Sequence, residues 1–139
     1  MRYLAVDLGG KRTGLAVGDR STLIATPLEV LEIPPGPRLI EAIRHTIAEH
    51  GPDAIVIGLP LNMDGSEGEA SKQVRAFGSA LAAATSLPVE FQDERLSSRA
   101  ASSDIAGVFT RKGRKKRLDA VAAARILRSF LESPTEPRD

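Results

Sequence analysis

Three strand-forming runs stand back to back at the start of this 139-residue chain, with no room for a helix between them. Arg2–Asp7, Thr13–Asp19 and Ala25–Ile33 are separated only by short turns. Parallel neighbours need a crossover of about a dozen residues or more, usually a helix. These gaps are shorter, so the runs are expected to pair as an antiparallel meander. A doubly wound parallel sheet, which needs helical crossovers between its first strands, is excluded.

Beyond the meander the periodicity changes. Pro34-Pro35-Gly36-Pro37 stops the sheet, Leu39, Ile40, Ile43 and Ile47 recur at helical spacing, and Gly51-Pro52 ends that helix. Ala54–Gly58 is a continuous apolar run, the mark of a strand buried on both faces. Ser66 and Glu69 have capping-box spacing ahead of a stripe of Ala70, Val74, Phe77, Leu81 and Ala84, so a second helix is expected from Ser66 to Pro88. Val89–Asp93 reads as a fifth strand. Ser97 or Ser98 is expected to cap a third helix to about Ala106, and Leu118–Leu131 to form the last. Residues 1–132 read as one domain and 133–139 as a frayed tail. This element order is that of a ribonuclease H-like α/β domain, a five-stranded mixed sheet flanked by helices.

The turn between the first two strands carries the first chemical signal. The run Val6-Asp7-Leu8-Gly9-Gly10-Lys11-Arg12-Thr13-Gly14 places Asp7 at the end of a buried strand, where an uncompensated carboxylate is costly. A metal ion compensates it; the competing explanation is a turn whose Asp bonds its own backbone. The fifth strand ends in Asp93-Glu94, at the carboxyl edge where open α/β sheets bind ligands. Asp119 shares a helical stripe with Ala122, Ala123, Ile126 and Phe130, which packs inward. Its alternative role is to complement the helix N-terminal dipole. Asp7, Asp93, Glu94 and Asp119 thus form a candidate cage for Mg²⁺ or Mn²⁺, with Asp64 a further candidate. A pair of such ions about 3.5–4 Å apart activates water and stabilises the leaving oxygen of a phosphodiester.

Charge points to the same substrate class. The formal net charge of +1 hides six cations in residues 111–117 (Arg111, Lys112, Arg114, Lys115, Lys116, Arg117), leaving 13 basic against 18 acidic residues elsewhere. Residues 107–117 are expected to form a mobile basic loop, loosened by Gly107 and Gly113, that contacts a nucleic-acid backbone; a solvated charge run is the alternative. Aromatic residues make up only 4% of the chain, so no base-stacking platform is evident. Lys11, Arg12 and Arg95 are candidate phosphate contacts. Asn62 lies in Leu61–Ser66, which leads into a helix N-terminus suited to a phosphate or is a simple turn. The chain has no cysteine, no apolar run of membrane-spanning length and no signal-peptide pattern, so a cytoplasmic location with no membrane partner is expected.

Asp7-Leu-Gly-Gly-Lys-Arg-Thr-Gly-Leu-Ala-Val, Ile57-Gly-Leu-Pro-Leu-Asn-Met-Asp-Gly-Ser66, Asp93-Glu-Arg-Leu-Ser-Ser98 and Leu118-Asp-Ala-Val-Ala-Ala123 resemble, in order, the four motifs of the YqgF/RuvX family of pre-16S rRNA nucleases, also described as Holliday junction resolvase-like. The chain departs at Gly18 and Ser98, neither an acid. The resemblance implies a ribonuclease H-like fold, catalytic acids Asp7, Glu94 and Asp119 with Asp93 adjacent, RNA (pre-16S rRNA) or structured DNA as partner, and processing of the 5′ end of 16S rRNA in ribosome biogenesis. The chain is expected to be a monomer or weak homodimer. Two other classes compete. A nucleotide-binding module of the sugar-kinase type needs a second Asp-x-Gly phosphate loop, and none other occurs here. A non-catalytic assembly factor differs only in turnover.

Overall fold

The computed structural model describes residues 1–94 and 111–132, with side chains from Ala120 onward in the second segment. Five strands, β1 (Arg2–Leu8), β2 (Thr13–Asp19), β3 (Ile24–Leu31), β4 (Ala54–Leu59) and β5 (Val89–Asp93), form one sheet in the order β3-β2-β1-β4-β5. The first three are the expected antiparallel meander, with Leu8 opposite Thr13 and Arg2 opposite Asp19. β4 then runs parallel to β1, and β5 parallel to β4. The mixed sheet makes β1 and β4 central, so the run Tyr3–Val6 is buried on both faces.

Alternation along the strands divides the core in two. Leu4, Val6, Leu15, Ile55, Ile57 and Leu59 face α1 (Pro37–His50) and α2 (Glu69–Thr85), against Leu39, Ile43, Val74, Phe77 and Leu81. The other face carries smaller residues, Ala5, Ala16, Ala54 and Val56, and receives Ala123, Ile126, Leu127 and Leu131 of α3 (Arg111–Glu132). Small side chains on both partners bring α3 close to the sheet. A Cβ at Gly18 would stand 2.4 Å from the Ile24 carbonyl oxygen and 3.0 Å from Leu127. Each fully buried aliphatic side chain contributes roughly 1.5–3 kcal/mol.

Helix ends follow local chemistry, with two departures from expectation. Gly51 takes the left-handed conformation (φ 61°) that closes α1, its N–H donating to the Ile47 carbonyl. The Ser66 capping box does not form: α2 starts at Glu69 after Gly68, and Ser66 instead donates its N–H and hydroxyl to Asp64 Oδ1 (2.9 and 2.6 Å). A nearer acid two residues upstream outcompetes the helix for the serine hydroxyl. The last helix begins at Arg111, not Leu118, so the basic tract occupies its first two turns. The expected mobile loop is therefore corrected for residues 111–117. A single glycine costs about 1 kcal/mol relative to alanine, whereas Lys and Arg are good helix formers. The helix expected over 97–106, residues 107–110, Arg95 and the tail 133–139 lie outside the described residues.

The far end of α3 is pinned to the start of β1. The Arg20 guanidinium lies 5.4 Å from the Tyr3 ring centroid and 5.1 Å from that of Phe130, and it donates to the Leu131 carbonyl at 3.4 Å. Tyr3 and Phe130 meet edge to face at 5.0 Å.

Candidate active site

The α3 helix runs from the amino ends of the parallel strands, where Phe130 meets Tyr3, towards their carboxyl ends. Asp7 is half-buried near the carboxyl end of β1. By alternation it shares the α3 side with Tyr3 and Ala5. Its antiparallel partner on β2 is Gly14. On the other side, one step beyond the Val6–Ile57 pair, stands Gly58 of β4. Neither flanking residue adds a side chain of its own beside the carboxylate.

Gly58 also seats a second acid. A Cβ there would lie 2.8 Å from both Glu94 Cγ and Glu94 Oε1, and 2.6 Å from Ile126 Cδ1. The Glu94 side chain thus folds back from the end of β5 across the bare backbone of Gly58, on the α3 face. Asp7, by register and alternation, borders the same glycine on the same face. Gly58 is a site residue the sequence reading missed; its signal is a glycine closing an otherwise apolar buried strand.

Asp93 is not brought into this pair. It is in register with Leu59, and alternation puts it with Phe91 on the α1–α2 side. Asp64 is engaged by Ser66 in the β4–α2 turn. Asp119 occupies the α3 backbone seven residues before Ile126, the residue that packs over Gly58, and so on the same helical stripe. Among the described residues no three Asp, Glu, His or Cys side chains cluster to hold a metal by themselves. Two hard carboxylates flanked by glycine do fit a Mg²⁺- or Mn²⁺-type ion as part of its shell, since such ions keep several waters.

Candidate phosphate-binding cations lie on the β1–β2 turn and in the first turns of α3. Exposed Lys11 and half-buried Arg12 sit in the β1–β2 turn that follows Asp7, closed by a Gly9 N–H to Arg12 carbonyl bond of 2.9 Å. Arg111, Lys112, Arg114, Lys115, Lys116 and Arg117 occupy the first two turns of α3. Asn62 is exposed but tied into its own turn: its N–H donates to the Ser66 carbonyl and Nδ2 to Ser66 Oγ, at 2.9 and 3.0 Å. That turn is fastened to α2 by Ser71 Oγ donating to the Pro60 carbonyl and by a bidentate Arg75–Glu67 pair at 2.6 and 2.8 Å. The Arg75 hydrogen bond lowers the Glu67 pKa from its ordinary value. No described helix is long and apolar enough to cross a membrane.

Comparison with known proteins decides the family. The profile described as RuvX, Holliday junction resolvase, matches residues 1–133. The chain belongs to the RuvX family. Among curated RuvX-type relatives it is 44% identical over 133 residues to a protein of an Anaeromyxobacter species, covering 95% of this chain and 97% of that one. It is 43% identical over 136 residues to one of Geobacillus kaustophilus, covering 96% and 99%. Both carry the name "Putative pre-16S rRNA nuclease". The RuvX chain shares its fold with Thermus thermophilus RuvC solved with a Holliday junction substrate (TM-score 0.60, 17% identity, 94% of each chain). It shares it also with the fowlpox virus resolvase solved with Holliday junction DNA (TM-score 0.57, 12% identity, 95% and 97%). The ribonuclease H-like expectation is met.

Proposed function

We propose that this RuvX member is a divalent-metal-dependent endonuclease that hydrolyses RNA phosphodiester bonds and processes the 5′ end of pre-16S rRNA in ribosome biogenesis, in the cytoplasm. The observation that carries the reading is that Asp7 and Glu94 border the same glycine, Gly58, on one face at the carboxyl edge of the sheet. The names of the curated relatives support the substrate.

Asp7 and Glu94, joined by Asp119 from α3, are the residues to hold Mg²⁺ or Mn²⁺. When bound, the ion supplies charge that activates water and stabilises the leaving oxygen. Gly14, which adds no side chain beside Asp7, leaves the room in which the phosphate and the attacking water align with these carboxylates. Glu94 Oε1 overhangs that space and accepts the proton of the attacking water as its oxygen bonds phosphorus and the bridging P–O bond breaks. Lys11, Arg12, Arg95, Asn62 and the basic first turns of α3 hold neighbouring phosphates and set the register of the strand. Asp93, on the opposite face, is left out of the metal set.

The family's description as a resolvase favours one other substrate, branched DNA. Incubating the protein with a pre-16S 5′ leader and with a four-way DNA junction, with and without Mn²⁺, separates the two. Metal-dependent RNA cleavage lost in Asp7→Asn is expected. Cleavage of the junction alone overturns the RNA assignment, and cleavage by a folded Asp7→Asn at the wild-type rate overturns the site.

A further inference from the structure

On the sheet face opposite Asp7 and Glu94, a cavity of about 540 Å³ opens at the same carboxyl edge, and neither the acids nor the basic tract account for it. Its walls are Leu8, Pro35, Ala70 and Val74, and its polar groups are the Gln73 amide and the backbone of Gly9 and Gly10. Among the described residues no charged side chain lines it. The volume is that of a small-molecule site, and the mix of apolar walls with a few polar groups is what such sites use to orient a ligand. A phosphate or a cation would find no countercharge among these residues.

Two features of the chain build it. Ala70, Gln73 and Val74 follow i, i+3, i+4 spacing, so they are the stretch of the α2 stripe that emerges from the core before Phe77 and Leu81 are covered by the sheet. Opposite them the β1–β2 turn presents bare backbone. A Cβ at Gly9 would stand 2.5 Å from the Arg12 carbonyl oxygen, so that residue must be glycine for the turn to close, whereas a Cβ at Gly10 would meet nothing within 4 Å. Gln73 and Ala70 are both exposed, so a ligand reaches them from solvent.

We infer that this cavity is a base-reading subsite: it takes one nucleobase splayed out of a single-stranded RNA whose backbone crosses the sheet edge at Asp7. The inference rests on the nucleic-acid reading above and adds a specificity element to it. Leu8 directly follows Asp7, and successive residues of a strand point to opposite faces. A strand lying across that edge therefore has its phosphate on one side of β1 and room for an adjacent base on the other. A flat heterocycle with a polar rim matches a lining in which apolar side chains alternate with one side-chain amide and the backbone of two glycines. The Gln73 amide offers a donor and an acceptor side by side, the pair that meets adenine bidentately. With a single tyrosine and no tryptophan in the chain, selection by hydrogen bonds to the base edge takes the place of aromatic stacking.

The test uses Asp7→Asn protein, to prevent cleavage, and single-stranded RNAs in which 8-vinyladenine, a fluorescent base that keeps the 6-amino group and N7 of adenine, is walked through successive positions. Binding is expected to change the fluorescence severalfold at one position and little elsewhere. Ala70→Phe, which fills the cavity from an exposed helix position, should abolish that change. Gln73→Leu should keep it while reducing the preference for adenine there about tenfold or more, with the salt dependence of binding unaltered in both. RNA that binds without any position-specific change, or with a change that survives both variants, overturns the subsite and leaves the nuclease reading standing. Failure to bind any RNA overturns both. Base insertion without cleavage by the wild-type protein supports the subsite and refutes the catalysis.

Discussion

Replacing Gly58 by alanine puts the least possible atom into the place where the Glu94 side chain lies, next to the strand that carries Asp7. The new Cβ would stand 2.6 Å from Ile126 Cδ1 and 2.8 Å from Glu94 Cγ and Oε1. Carbon atoms prefer about 3.5–4.0 Å, so both side chains must retreat by about 1 Å. Ile126 is packed under α3 and has little freedom, whereas Glu94 closes the sheet at the end of β5 and yields first. Overpacking of this kind costs about 1–3 kcal/mol, a loss of about 3–10 °C in Tm for a chain this long. A 1 Å displacement of a catalytic group costs about 10²-fold in rate. Gly58→Ala is therefore expected to stay folded at 25 °C while kcat for metal-dependent cleavage falls about a hundredfold. Shortening the acid should couple to this change, since residues in contact are not additive: Glu94→Asp is expected to cost far less activity in the Gly58→Ala background than alone. Thermal melts and single-turnover rates on one RNA substrate measure both. A folded Gly58→Ala cleaving within about twofold of wild type would refute the placement of Glu94 as a working acid.

Thr13 is fully buried and its hydroxyl has no hydrogen-bond partner among the described residues, so Thr13→Val should raise stability by about 1 kcal/mol, or about 3 °C in Tm; a lower Tm would show that the hydroxyl is satisfied. Arg114, Lys115, Lys116 and Arg117 changed together to Gln keep helix propensity and remove four cations, so the log–log salt slope of RNA binding should fall by up to about three units with Tm level or higher, because cations near a helix N-terminus oppose its dipole. An unchanged slope would make the tract a solvated charge run. Glu67, held below its ordinary pKa by Arg75, stabilises the fold only while ionised. The Tm gap between wild type and Glu67→Gln should therefore be full above the ordinary value of 4.5 and close as pH falls through the lowered folded value, and a gap constant with pH would refute the pairing.

The architecture was legible where spacing leaves one solution. The short gaps after Asp7 and Asp19 dictate the meander, and the apolar run from Ala54 dictates a strand buried on both faces. Asp7 was legible as a charge at the end of such a strand. The choice between Asp93 and Glu94 was not, because adjacent strand residues face opposite ways and only the register with Leu59 says which faces Asp7. Gly58 was invisible for a related reason: its importance lies in what a neighbouring strand lays across it. Local competition defeated the capping box, since Asp64 is nearer to the Ser66 hydroxyl than the first turn of α2. The basic tract reads as a loop because cations cluster there around Gly113, whereas Lys and Arg carry strong helical propensity and the tract continues the helix whose later turns pack on the sheet.

The clamp of Arg20 between Tyr3 and Phe130 makes α3 a lever with its fulcrum at the wrong end for local repair. From Leu131, whose carbonyl Arg20 holds, to Asp119 the helix rises about 18 Å at 1.5 Å per residue. A tilt of only about 3° about that fulcrum sweeps position 119 through about 1 Å, the scale on which active-site geometry is won or lost. The position of residue 119 thereby depends on a cation and two rings at the opposite end of the strands as well as on the packing of Ala123, Ile126 and Leu127 against the sheet. Substitutions there would act on catalysis as a change of angle, without touching substrate, metal or any acid.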